Sequence, residues 1–390
     1  MTTSTLNGTT NIALSFSDEQ AMLLDSAKSF CSHKSDINAV RSLLKSDSGH
    51  NPDVWQEMVA LGWTGIAIPE QYGGFAMGLG SMVPVIESMG RHLLGTALIT
   101  STLAAQAILR GGSEAQREKW LPKIVAGTVG SMALLDNEDW GSKLCGVSTA
   151  ISSSSDSSSK IVLSGKKLLV ADATVADFFI VSINHSGNPA LAIVEASQLA
   201  ANAISASTLI DETKRAATVD FSGVTLSPDA LLPQSEQALK DIRLIGALLI
   251  AAEATGTSAA TLDCIVSYLT SRIQFGRLIG SYQSLKHPTV DILLQMDSSR
   301  SLIYHAATLL DKGPEIGPLE GDTEVACRMA KAQATETLLF AGDRAVQFHG
   351  GMGFTYDCDA MLYIRRAQWA QHQYGDAQHH RLHLARLLLD

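Results

Sequence analysis

Arg272-Ile273-Gln274-Phe275-Gly276-Arg277-Leu278-Ile279-Gly280-Ser281-Tyr282-Gln283 separates two long helical patterns. Before it, Ile242 to Arg272 runs with few breakers; after it come the apolar-striped segments Leu285–Leu310, Glu324–Phe348 and Asp376–Leu389. Four long helices in succession predict an antiparallel bundle. Upstream the texture changes. Ser131–Leu135, Ile161–Ser164, Lys167–Val170, Phe178–Ile183, Ala190–Val194 and Ala217–Phe221 are short apolar or alternating runs separated by Gly, Asn, Asp and Ser. That pattern predicts an antiparallel β unit, with the serine run 152–159 as a solvated loop between strands.

Farther upstream, helical periodicity returns. It starts near Ser17-Asp18-Glu19-Gln20, a capped-start pattern, and recurs at Pro52–Leu61, Ser81–Met89, Thr96–Leu109 and Glu114–Ala126. The predicted organisation is therefore a flexible arm (1–14), an N-terminal helical domain (15–129), a middle β domain (130–232) and a C-terminal helical bundle (233–390). The fold class is mostly α with a small β domain.

The composition narrows the function. With 390 residues, 46% hydrophobic, the chain can bury a large core. Its net charge of −10 argues against a nucleic-acid coat or a polybasic membrane anchor, which need clustered cations. Cys31, Cys145, Cys264, Cys327 and Cys358 are odd in number and widely spaced, so neither a disulfide framework nor a zinc knuckle is expected. The polar, Thr/Asn-rich start lacks a secretory pattern, and no uninterrupted apolar run reaches bilayer-spanning length. A reducing, cytoplasmic setting is the expectation.

Two stretches carry recognisable chemistry. The Arg272 guanidinium is a fixed fork of donors suited to a pyrophosphate, and Phe275 offers a flat face to a ring. Gln347 can donate and accept, and Gly350-Gly351 lets backbone approach a phosphate or ribose without side-chain obstruction. Taken singly, these residues read rather as a surface arginine beside a core aromatic and as a helix C-cap with its turn; only their shared spacing points further.

Together the motifs resemble the acyl-CoA dehydrogenase family. Gly65–Gly74 is similar to its Pro-Glu-x-x-Gly-Gly turn, Gln116–Pro122 to its lead into the β domain, and Gly165–Val170 to that domain's core. Arg272, Phe275, Gly276, Ile279 and Gln283 match one C-terminal signature; Gln347, Gly350, Gly351 and Gly353 match another. The resemblance implies FAD, an acyl-CoA substrate and 2,3-dehydrogenation. It implies that Arg272, Phe275, Gln283, Gln347, Gly350 and Gly351 hold the nucleotide end of a flavin whose ring sits mainly in a neighbouring chain. An electron-transferring flavoprotein is the implied acceptor.

The sequence departs from the family at its catalytic centre. The usual basic Glu is replaced by Tyr374 in Gln373-Tyr374-Gly375-Asp376, and a phenol is a poor base near neutral pH. Asp376 is the candidate base in its place, or else the N-cap of the last helix. The alternative family position for the base, on the first long bundle helix, falls on Gly246. Glu253, farther along, reads as a buried polar or interface group. The loop that supports the flavin ring is altered to Leu135-Asp136-Asn137-Glu138-Asp139-Trp140-Gly141-Ser142, with Trp140 either on the flavin or packed at a seam. Arg365-Arg366 reads as a charge pair or a CoA anchor, and His379, His380 and His383 as an ordinary helix face. Such lopsided motif retention resembles the base-poor second subunit of heteromeric acyl-CoA dehydrogenases, which pairs with a homologous subunit and is associated with bulky substrates such as steroid side chains. A self-sufficient enzyme using Asp376 and a non-catalytic acyl-CoA-binding protein are the competing expectations.

Overall fold

The computed structural model describes residues 18–137, 140, 147–152, 160–311 and 317–389. Among these residues, six helices come first: α1 (Asp18–Lys34), α2 (Ile37–Leu43), α3 (Pro52–Ala60), α4 (Met82–Arg91), α5 (Leu98–Gly111) and α6 (Glu114–Val125). Local chemistry sets their starts. Asn51 caps α3 with Pro52 at its first turn, where a missing N–H costs nothing. Ser113 and Gln116 form a reciprocal capping box on α6.

Nine strands come next among the described residues: β1 (Gly130–Ala133), β2 (Val147–Ser152), β3 (Lys160–Ser164), β4 (Lys166–Ala171), β5 (Phe178–His185), β6 (Asn188–Glu195), β7 (Ile204–Ala206), β8 (Ala216–Asp220) and β9 (Thr225–Leu226). They make two sheets, one around β5 and one ordered β4-β8-β7. The first is mixed, not purely antiparallel. β1 and β2 run parallel to β5 and share one of its edges end to end, at residues 178–181 and 183–184. β6 pairs antiparallel along the other edge. The chain separation explains it: parallel neighbours need long crossovers, and the excursion between β1 and β5 supplies one. Buried Lys167 stitches the sheets, donating from β4 to Leu134 O (3.0 Å), Asp136 (2.5 Å) and Ser182 on β5 (2.8 Å).

The C-terminal part holds α7 (Ser235–Ser271), α8 (Gln283–Leu310), α9 (Asp322–His349), α10 (Ala360–His372) and α11 (Ala377–Leu389). A small hairpin, β10 (Ile273–Gln274) and β11 (Arg277–Leu278), joins α7 to α8. The helix α10 has no counterpart among the four segments read from the sequence. Tyr374 and Gly375, both at positive φ (+58° and +98°), separate it from α11.

α7 is the spine. It is long and apolar enough to cross a membrane by composition, yet its apolar window is wholly buried in the protein. Its centre is small: Ala251, Ala252, Ala254, Gly256, Thr257, Ser258 and Ala259 are all buried. There α4 crosses at backbone contact. A Cβ on Gly256 would collide with the Glu87 carbonyl oxygen, and one on Gly90 with that of Glu253. Thr257 Oγ1 donates to Gly90 O across the crossing (2.9 Å).

Lys331, fully buried on α9, holds the break before α11, donating to the carbonyls of Gly375 (2.8 Å) and Gln371 (3.3 Å). Burial pushes its ammonium down to about 7, with Asp376 partly opposing.

Gly256→Val should shift the helices apart and cost about 1–3 kcal/mol or more in denaturant unfolding, as overpacked cores do; an unchanged midpoint would refute the contact. A lysine whose pKa falls on folding binds more protons unfolded than folded between about 7 and its unfolded value, so stability rises with pH across that window. Lys331→Met should remove this rise, checked by urea unfolding at neutral and alkaline pH.

Candidate functional site

Two regions gather the residues singled out from the sequence, and they line separate cavities. The first is the α7–α8 hairpin. Phe275 and Gly276 occupy its two-residue turn, both at positive φ (+53° and +76°), the twist a tight hairpin requires. Glycine adopts this freely, but phenylalanine does so at a cost. Phe275 is 90% exposed.

Arg272 is the C-cap of α7, its N–H bonded to Tyr268 O, and its side chain is exposed. Arg272, Phe275, Gly350 and Gly351 line one cavity of about 460 Å³, together with Tyr268, Gln274, Tyr282, Phe348 and His349. His349 stacks on Tyr268 (4.1 Å). Gln283 opens α8 and Gln347 lies in the last turn of α9; both are exposed, and neither lines the cavity. Among the described residues, nothing lies within 4 Å of where Cβ atoms on Gly350 and Gly351 would stand, and Gly350 is at φ +60°. These glycines leave backbone open to an approaching group. Arg41 of α2, unremarked in the sequence, fixes the loop beyond them by donating to Tyr356 O, Asp357 O and Asp359. Apolar side chains rim the face: Ile273, Met352 and Phe354 are exposed. A guanidinium fork, an open glycine backbone and an aromatic plate in one cavity fit a dinucleotide's diphosphate and base.

The second region surrounds Tyr374, which is buried. Trp140 packs on it, ring centroids 4.4 Å apart, and Arg243 donates to the Trp140 carbonyl (2.5 Å). Trp140 is therefore a packed seam residue. Residues 138–139 and 141–142 of that altered loop lie outside the described residues. Gly246 is directly beneath the phenol: a Cβ there would stand 2.5–2.6 Å from ring carbons of Tyr374. The two sequence positions considered for a base thus meet in space. Burial, then the nearby Asp172 charge, push the Tyr374 phenol upward, so it stays protonated.

Asp376 is exposed and accepts from His379 N (2.7 Å), capping α11. Arg365 pairs with Glu212 (2.6 Å) and lies over the Tyr356 ring. Arg366 donates to Asp211 (2.6 Å), Glu253 (3.1 Å) and Thr213 (2.5 Å), and Lys214 also pairs with Glu253 (2.6 Å). Burial pushes the Asp172 carboxyl up to about 6, although Lys214 and a bond from Thr100 (3.0 Å) oppose it. A cleft of about 680 Å³ opens beside Tyr374, with Lys240, Arg243, Arg328, His379 and His380 on its walls. Burial and the neighbouring Lys331 and Arg328 charges drive His380 down to about 2, so it is neutral.

Comparison with known proteins places this architecture. The family description "Acyl-CoA dehydrogenase, N-terminal domain" matches residues 17–128, and "Acyl-CoA dehydrogenase, C-terminal domain" matches residues 244–389. The chain is 26% identical over 352 residues to acyl-CoA dehydrogenase IpdE2 of Mycolicibacterium smegmatis, covering 90% of this chain and 93% of that one. It is similar to a solved variant of the "Tcur3481-Tcur3483 steroid ACAD" (26% identity, TM-score 0.81, 95% and 98% of the two chains). It also resembles butyryl-CoA dehydrogenase from Megasphaera elsdenii in fold (23% identity, TM-score 0.83, 96% and 99% covered). With both halves of the family's pattern matched, and the helical, sheet and bundle order to go with them, the chain belongs to the acyl-CoA dehydrogenase family.

Proposed function

We propose that this chain is one subunit of a FAD-dependent acyl-CoA dehydrogenase that desaturates an acyl-CoA thioester between C2 and C3, and that it completes the flavin site of a homologous partner which carries the base. The observation that carries this reading is the contrast between the two regions. The nucleotide-type cavity at Arg272, Phe275, Gly350 and Gly351 is open, while the position of the base holds a buried phenol.

Bound FAD would accept a hydride from the β-carbon as a carboxylate takes the α-proton. On this chain, Arg272 would hold the diphosphate, Gly350 and Gly351 would admit it against backbone, and Phe275 would cover the base. Gln283 and Gln347, outside the cavity lining, would reach the cofactor from its rim. An exposed phenylalanine at a strained hairpin tip, beside exposed Ile273, Met352 and Phe354, suits a surface covered by another subunit. The likeness to a protein named for two chains and for a steroid supports a paired assembly and a bulky acyl group. An electron-transferring flavoprotein would take the electrons onward.

Expressed alone, the chain should carry little flavin; co-expressed with a homologous chain bearing the basic Glu, the pair should be yellow and oxidise acyl-CoA. Arg272→Ala in that pair should lower flavin content, read by visible absorbance. Stoichiometric FAD with turnover by the lone chain would defeat the dependence on a partner. Flavin absent from every pairing, with CoA-thioester affinity retained, would favour a non-catalytic binding protein.

Asp376→Asn separates the self-sufficient reading. Asparagine caps a helix as well as aspartate, so on our proposal the variant still folds and turnover of the pair stays put. Loss of turnover with flavin retained would make Asp376 the base.

A further inference from the structure

We infer that the Tyr374 ring is a plug which closes this chain's own thioester cavity, and that Gly246 is glycine so that the plug can seat. The inference rests on the subunit reading above and says what has become of the half-site that reading leaves idle.

The geometry is that of a stopper held from several sides. Tyr374 and Gly375 both adopt left-handed backbone, which turns the connection between α10 and α11 inward. A non-glycine residue holds that conformation only where its surroundings over-determine it. Lys331 supplies part of that hold through the Gln371 and Gly375 carbonyls. One face of the ring lies flush on α7 at Gly246, with 2.5–2.6 Å from ring carbons to where a Cβ would be. Trp140 covers the ring at 4.4 Å, tilted by 36°, and is itself pinned by Arg243. Glycine within a helix costs about 1 kcal/mol against alanine. At position 246, well inside α7, it marks neither a turn nor a helix end, and the space it leaves is taken by the phenol.

The ring also stands at a boundary. On one side is the cleft of about 680 Å³, which Tyr374 lines. Close by in the interior is Asp172, which Thr100 hydrogen-bonds. A CoA thioester entering the cleft meets an aromatic wall at Tyr374, whose ring fills the space that Gly246 leaves on α7. The cleft is therefore a dead end for the acyl group.

The test compares affinity for octanoyl-CoA with that for free CoA, by equilibrium dialysis on the full chain, alone and paired; the ratio isolates the acyl contribution and needs no flavin. Wild type and Tyr374→Phe, which keeps the ring, should bind both ligands alike. Tyr374→Ala should favour octanoyl-CoA by about tenfold or more, a gain of about 1.4 kcal/mol. If the alanine variant loses its cooperative melt, Tyr374→Leu, which still fills part of the space under Trp140, takes its place with the same expected direction. An acyl preference already present in the wild type, or equal ratios in all variants, overturns the plug. Flavin content of the paired preparation is read separately, so a failed subunit reading and a failed plug give different results.

Discussion

Arg366 is completely buried, and two parts of the chain converge on its guanidinium. Asp211 and Thr213 come from the loop between β7 and β8, and Glu253 from the middle of α7. A charge in that position is tolerable only when paired and fully hydrogen-bonded; removing one member of such a set costs about 3–5 kcal/mol. The arginine itself rides on α10. The ion set therefore fixes the β unit against the spine and holds α10 in place at the same time. Directly beyond α10 lies the inward-turned connection with Tyr374. The phenol is thus placed by the charge pairing that anchors α10 together with the apolar packing of its ring on Trp140 and Gly246.

The same spine serves the hairpin. α7 ends at Arg272, whose cap position sets the hairpin, and the hairpin sets Phe275. Small residues along the middle of α7 let α4 approach to backbone contact. The helix can then be buried on all sides through its middle and emerge at its two ends. One rigid rod carries Gly246 in the interior and Arg272 at the surface. The two regions are coupled by construction, though they line different cavities.

Much of this is legible in residue order. The helix–strand–helix succession follows from periodicity, and the Arg272–Gln283 and Gln347–Gly353 stretches carry local chemistry that survives without coordinates. Arg272, Phe275, Gly350 and Gly351 are short-range signals of the backbone they sit on. The remainder is illegible there because it depends on contacts between distant segments. No pattern near Tyr374 announces that its ring rests on Gly246, and none near Arg41 announces the loop at Tyr356–Asp359. The parallel pairing of β1 and β2 with β5 is likewise a matter of which edge is free, not of strand sequence. α10 is hard to see because its pattern runs into the Gln373–Gly375 break without a proline stop, and its own start is marked by no strong cap.

The placement of strain separates the two regions in kind. Phe275 and Tyr374 are both bulky residues at positive φ, and each conformation costs free energy that something must offset. For Tyr374 the offset is visible within the chain: Trp140 above, Gly246 below and Lys331 on the carbonyls alongside. For Phe275 it is not, since the residue is 90% exposed and the hairpin that carries it is short. A strained aromatic held by its own chain is a finished structural element. One left in the open is half of a contact, and its compensation has to come from the surface that meets it.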